Sequence, residues 1–157
     1  MPDEDLLPTY LQDHHAGAVA GVNLARRAAG ANRGTSYGHE IDAIAAEIDA
    51  DRETLERLMT ALGIGPDRRK DTAAWVGERL GRLKRNGTWL SYSPLSRMVE
   101  LEGLVVGVTG KLSMWEALKA AGRDPVAGVD YEAMAQRARD QRERLDALRR
   151  RAAAEAL

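Results

Sequence analysis

Apolar side chains recur along this chain with the three-to-four residue spacing of amphipathic helices, and nowhere with the alternation of a strand. In residues 5–29, Leu7, Tyr10, Leu11, Ala18, Gly21, Val22, Leu24, Ala25 and Ala28 fall on one helical face, and Gly30, Asn32 and Gly34 follow as stop signals. A second run, Ile41, Ile44, Ile48, Leu55, Leu58, Met59 and Leu62, predicts a helix over 38–62 that stops at Gly63, with Pro66 just beyond. Residues 68–86, with Trp75, Val76, Leu80 and Leu83, predict a shorter helix ended by Asn86 and Gly87. Ser93 followed by Pro94 is an N-cap with proline at the first helical position, which opens a third long helix over 94–121. Its LEGLVVGV stretch is apolar nearly all round and predicts the most buried helix of the set. Gly122 and Pro125 close it. Asp130 caps a last helix over 130–154, with Tyr131, Met134, Ala138, Leu145 and Leu148 facing inward.

The expected class is all-α. Four long helices, each about 37 Å at 1.5 Å per residue, match in length and would pack side by side. The first and second are joined by about eight residues and the third and fourth by about nine, so each pair is expected to be antiparallel. About 31 residues separate the second from the third, enough to return along the bundle with the short extra helix inside the crossover. Gly17 and Gly21 share a face of the first helix, and Gly103, Gly107 and Gly110 a face of the third. Each costs about 1 kcal/mol against alanine in a helix interior, and close approach of two backbones is the expected compensation.

Composition narrows the chemistry. The 157 residues are read as a single domain, 1–157, long enough to build a core without a disulfide or structural metal. Cysteine is absent, which removes thiolate sites and Cys nucleophiles, and so is phenylalanine, so the core is aliphatic with three Trp and four Tyr. Charge is balanced, 23 basic against 24 acidic residues, which gives no global field toward nucleic acid or anionic lipid. Seven Arg against three acids between 137 and 151 lack interleaved aromatics, so a solvated face is expected rather than a nucleic-acid interface. Neither a membrane span nor a secretory leader is legible, so the expected location is cytoplasmic. No P-loop, dinucleotide fingerprint or nucleophile elbow is present, and the hydrolase, kinase and dehydrogenase classes fall away.

The segments LQDHHAGAVAGVNLARR, AAEIDADRETLERLM, SPLSRMVELEGLVVGVTGKLSMWEAL and QRARDQRERLDALRRRAA resemble, in helix order, the ferritin-like superfamily and more narrowly bacterial ferritin-like proteins whose di-iron motifs are degenerate. The resemblance implies a four-helix bundle with one long crossover. Di-iron members use a Glu from each of two helices and a Glu-x-x-His from each of the other two. Here Ala50 stands three residues after Glu47, where that pattern wants His, and the last helix has no Glu-x-x-His.

What remains is a set of polar residues on apolar stripes: His14 and His15 on the first helix, Glu47 and Asp51 on the second, Glu102 on the third, and Gln141 on the inward stripe of the fourth. A lone carboxylate inside a bundle needs a cation, a proton or a donor. Three arrangements satisfy that need. His14 pairs with Glu47, Asp51 or Glu102 in a network that fixes helix register; or these groups with His15 hold a single metal, iron or manganese being the candidates; or the carboxylates pair with Arg97 or Arg52 and the stripes are shifted. The leading functional expectation is a non-catalytic bundle, a homo-oligomer, that binds an unidentified protein or small molecule and needs no cofactor. The alternative is a divergent metal protein with redox or iron-handling activity.

Overall fold

The computed structural model describes residues 5–67 and 92–157, and among them every regular element is a helix. They are α1, Leu7–Ala31; α2, Gly38–Ala61; α3, Pro94–Ala120; and α4, Tyr131–Ala156. The helix expected over 68–86 lies outside the described residues.

Local chemistry sets the ends. Ser93 Oγ accepts the Ser96 N–H at 3.2 Å while Ser96 Oγ accepts the Ser93 N–H at 3.4 Å, a reciprocal cap on α3. Asp130 accepts the Ala133 N–H at 3.0 Å and caps α4. At the C-termini of α2 and α3 the chain turns through left-handed Gly63 (φ 72°) and Gly122 (φ 63°). The next residue's N–H then reaches back to a helical carbonyl, Ile64 to Met59 at 2.8 Å and Arg123 to Leu118 at 3.2 Å.

Each helix packs against two others. Backbone contact is most extensive between α3 and α4, then α1 and α2, then α1 and α3; α2 and α4 approach only briefly, and the backbones of α1 and α4, and of α2 and α3, stay apart. The order around the bundle is therefore α1, α2, α4, α3. Cross-helix pairs give the directions. His15 meets Glu56 and Arg26 meets Asp49 across α1 and α2. Arg27 meets Glu100 across α1 and α3, while Tyr10 and Leu7 share a surface groove with Leu118. Lys119 meets Glu132 and Lys111 meets Gln141 across α3 and α4. Asp51 meets Gln141 and Glu47 meets Arg144 across α2 and α4. In all four pairs rising numbers on one helix meet falling numbers on the other, so neighbours are antiparallel. Helices α2 and α3 thus run the same way on opposite corners, and the chain leaves one end of the bundle at Gly63 to re-enter at the other at Ser93.

The interior is aliphatic, with Leu11, Ile41, Ile44, Leu58, Leu101 and Leu145 at 1% exposure or less around Trp115 and Met114. Burying each such side chain contributes about 1.5–3 kcal/mol. Helix α3 is not enclosed on all sides, contrary to the expectation from its sequence. Only α1 and α4 cover it, so Leu95, Glu102, Gly103, Val106 and Gly107 face outward, with Val106 55% exposed. No helix among the described residues is long and apolar enough to cross a membrane.

Candidate functional site

Apart from Gly103, the glycines of the two small-residue faces on α1 and α3 do not serve close packing. A Cβ built on Gly17, Gly21, Gly107 or Gly110 would meet nothing within 4 Å, and only at Gly103 would it collide, with Leu24 Cδ2 at 2.9 Å. The missing side chains instead leave a cavity of about 220 Å³ between α1, α2 and α3. The four glycines line it together with Ile48, Leu55, Leu104, Val108 and Met114. Gly17 and Gly107 are also solvent-exposed, so the cavity opens along the seam between α1 and α3.

Polar groups enter this apolar space at a few points. His14 lines the cavity from α1, its ring set edge-on to Tyr10 with centroids 4.6 Å apart. Burial pushes its pKa below the usual histidine value, against the opposing charge of Asp13, so the imidazole is neutral at pH 7. Asp13 and Arg52 contribute from α1 and α2, and Asp51, Lys111 and Trp115 form the inner wall.

Lys111 is the centre of the inner wall. Its Nζ donates to Asp51 Oδ2 at 2.6 Å and to Gln141 Oε1 at 2.5 Å, tying α3 to α2 and α4. The Gln141 amide donates to Asp51 Oδ2 at 2.9 Å and Glu47 Oε2 at 3.2 Å. Arg137 Nε lies 2.8 Å from Asp51 Oδ1, and Arg144 bridges Glu47 at 2.8 Å and Glu40 at 2.5 Å. This chain of charges spans the α2–α4 seam, where the backbones stay apart and long side chains fill the gap. Three carboxylates meet three cations, with Asp51 3% exposed and Gln141 fully buried. Burial drives the Lys111 pKa below the usual lysine value, while the charge of Asp51 and its hydrogen bond hold it up. Burial raises Glu47, but hydrogen bonds from Arg144 and Gln141 outweigh it and hold the carboxyl below the ordinary Glu value.

Trp115 stands one turn beyond Lys111, fully buried and stacked on Tyr131 at 6.0 Å. Its indole N–H lines up with no acceptor among the described residues. A buried donor without an acceptor costs about 1–3 kcal/mol, which makes this group informative.

The sequence candidates go to four places. Glu47 and Asp51 come together through Gln141. His14 faces the cavity and makes no hydrogen bond to Glu47, Asp51 or Glu102. His15 Nε2 pairs with Glu56 at 2.9 Å on the α1–α2 seam. Glu102 is exposed on the solvent side of α3, and Glu100 is the buried carboxylate instead, 1% exposed. Two residues along a helix is a rotation of about 200°, which puts these two on opposite faces. Glu100 is held by Tyr92 Oη at 2.7 Å and Arg27 Nε at 3.1 Å, and burial raises its pKa. Asn32 links this second cluster to Arg97, whose Nε donates at 2.6 Å. Neither Arg97 nor Arg52 is the cation on Asp51; that role falls to Lys111 and Arg137.

These placements do not fit a dinuclear metal centre. Asp51 Oδ2 and both Glu47 oxygens accept from ammonium, guanidinium and amide donors, Asp51 Oδ1 is ion-paired with Arg137, and no three His, Asp, Glu or Cys side chains among the described residues gather as a ligand set. Among the described residues the cations that meet Asp51 are Lys111 and Arg137.

No family model, curated protein or solved structure matches the chain. The functional reading therefore stands on the cavity and the groups that line it.

Proposed function

We propose that this protein is a ferritin-like four-helix bundle without a di-iron centre, whose core cavity binds a small molecule non-catalytically. The bundle reading is supported by the antiparallel neighbours and by α2 and α3 running the same way on opposite corners, which call for one long crossover.

The observation that carries the ligand reading is the glycine-lined void. Protein interiors are close-packed, and helices disfavour glycine by about 1 kcal/mol per residue relative to alanine. Four glycines whose Cβ atoms would meet nothing keep open a space that alanine would begin to close. An apolar cavity of about 150 Å³ already accommodates benzene, so about 220 Å³ suits an aromatic ring with a short substituent.

A thermal-shift titration with small aromatic compounds tests this, run on the natural sequence and on Gly21→Leu. A ligand that binds only the folded state raises stability by about 2.7 kcal/mol at a hundredfold excess over its Kd. The reading predicts a concentration-dependent rise in Tm for the natural sequence and none for the filled variant. Equal rises in both would place the binding elsewhere, and no rise in either would end the ligand reading.

A further inference from the structure

Away from the cavity, the corner where the end of α1 meets the start of α3 closes around a carboxyl group. We propose that Glu100 is a proton-operated latch: with its proton on, the carboxyl lets this corner close, and with its proton off it drives the corner open to water.

The geometry around Glu100 carries this. The residue is 1% exposed, on the inner face of α3. Its Oε2 accepts the Tyr92 hydroxyl at 2.7 Å, and the Asn32 amide in turn donates to Tyr92 Oη at 2.8 Å and to the Ala28 carbonyl at 2.8 Å. Tyr92, just ahead of α3, is thereby clamped between Glu100 and the end of α1. Glu100 Oε1 has no aligned donor among the described residues; Arg27 Nε lies 3.1 Å away on a side chain that is 50% exposed. A buried carboxylate at ease as an anion accepts two or three good hydrogen bonds, and this one has a single hydroxyl and a misaligned, water-screened guanidinium. The other charges at this corner are spent on one another. Arg97 donates to Asn32 Oδ1 at 2.6 Å and to Glu155 at 3.3 Å, the Tyr37 hydroxyl of α2 donates to Glu155 at 2.8 Å, and Arg151 of α4 lies over the Tyr37 ring at 3.6 Å.

Linkage gives the direction of the switch. Burial raises the Glu100 pKa and outweighs the Tyr92 hydrogen bond and the Arg27 charge, so the folded chain holds this proton more tightly than the unfolded one. Stability from such a group is fully present below the ordinary Glu value and is lost as pH rises through its own value. The sign is opposite to that of Glu47, whose pKa is lowered. Ionised, Glu100 regains water only if Tyr92 and the first turns of α3 move off the end of α1. Burial and the neighbouring carboxyl push the Tyr92 hydroxyl up, so of this hydrogen-bonded pair Glu100 is the member that titrates.

The test is a ¹³C titration of the Glu100 side-chain carboxyl in the full chain, assigned through its own backbone, with amide hydrogen exchange over the same pH series corrected for the intrinsic pH dependence of exchange. The expected midpoint lies above the ordinary Glu value. Protection should fall with rising pH up to that midpoint, by as much as about tenfold per pH unit, at two amides on either side of the corner: Asn32, bonded to the Ala28 carbonyl at 3.1 Å, and Arg97, bonded to the Ser93 carbonyl at 3.1 Å. In Glu100→Gln, which mimics the neutral acid, protection at both should stay level. A midpoint at or below the ordinary Glu value overturns the proposal, because Tyr92 and Arg27 then satisfy the anion. A raised midpoint with level protection in the natural sequence overturns it too, since the proton then moves nothing. The same fall in Glu100→Gln assigns the opening to another group and overturns the latch. The two readouts on the natural sequence need no variant to fold.

Discussion

At the scale of single residues, Lys111 is the side chain on which the interior depends. Asp51 is 3% exposed and Lys111 is its buried counter-ion. Removing Lys111 leaves Asp51 with Arg137 alone, which costs less than the roughly 3–5 kcal/mol of a wholly unpaired buried charge, about 1–3 kcal/mol. Lys111→Met should therefore lower the unfolding free energy by that amount in urea, whereas Asp51→Leu combined with Lys111→Met should recover more than half of the loss. Additive losses in the double variant would mean the two side chains act independently. Glu47 contributes to the pH dependence. Its pKa is lower in the folded chain than in the unfolded one, so the unfolded state takes up protons first as pH falls. The stability it contributes is present above the ordinary Glu range and is lost as pH drops through it. Between pH 5 and pH 3 the natural sequence should thus lose more stability than Glu47→Gln, and parallel losses would show that Arg144 does not hold this carboxyl down. Part of this scale was legible beforehand. Asp51 and Gln141 lie on clean apolar stripes, and their burial followed from phase alone. Lys111 also sits on the stripe Leu104, Val108, Lys111, Trp115, a signal present in the sequence. Glu100 was hidden because α3 is apolar nearly all round, so its sequence carries no phase to tell residue 100 from residue 102.

At the scale of elements, the caps were legible because they are local. Ser93, Asp130, Gly63 and Gly122 each act within four residues of themselves, and each terminates a helix as its chemistry dictates. The role of the glycine faces was not, because a small-residue stripe is compatible with two backbones in contact and with a space between them. The two cases separate by mutation. Gly107→Ala should raise stability by about 0.5–1 kcal/mol, since its Cβ meets nothing within 4 Å and the helix gains propensity. In a chain of this size that is a rise of roughly 1–4 °C in Tm. Gly103→Ala should gain less or lose, because its Cβ falls 2.9 Å from Leu24 Cδ2. Identical shifts at the two positions would contradict the open space at Gly107. The α2–α4 seam was beyond the sequence for a different reason. Arg137 and Arg144 read as part of a charged outer face on α4, and only the order of helices around the bundle shows that their long side chains reach back to Asp51 and Glu47.

At the scale of the whole molecule, the four seams of the bundle divide the work. Two are closed by ordinary aliphatic packing, between α3 and α4 and between α1 and α2. One, between α2 and α4, is bridged by a charge-balanced network that fixes the register of three helices at once. The last, between α1 and α3, is held open by glycine and backs onto that same network. Of the sequence candidates, His14 and Asp51 line the cavity, while His15, Glu47 and Glu102 lie outside it. Local pattern in the sequence was enough for an all-α bundle of four long helices; the division among seams needed the arrangement of helices, because it depends on which faces meet.

The most direct test of the cavity is a ¹H–¹⁵N titration of the full chain with 4-phenyl-2-butanone, followed at the glycine amides. The account predicts that the resonances of Gly17, Gly21, Gly107 and Gly110 move together and saturate together, while those of Gly30, Gly65 and Gly128, which do not line the cavity, stay in place. Saturating shifts confined to glycines away from the α1–α3 seam, or no shifts at any of them, would contradict it.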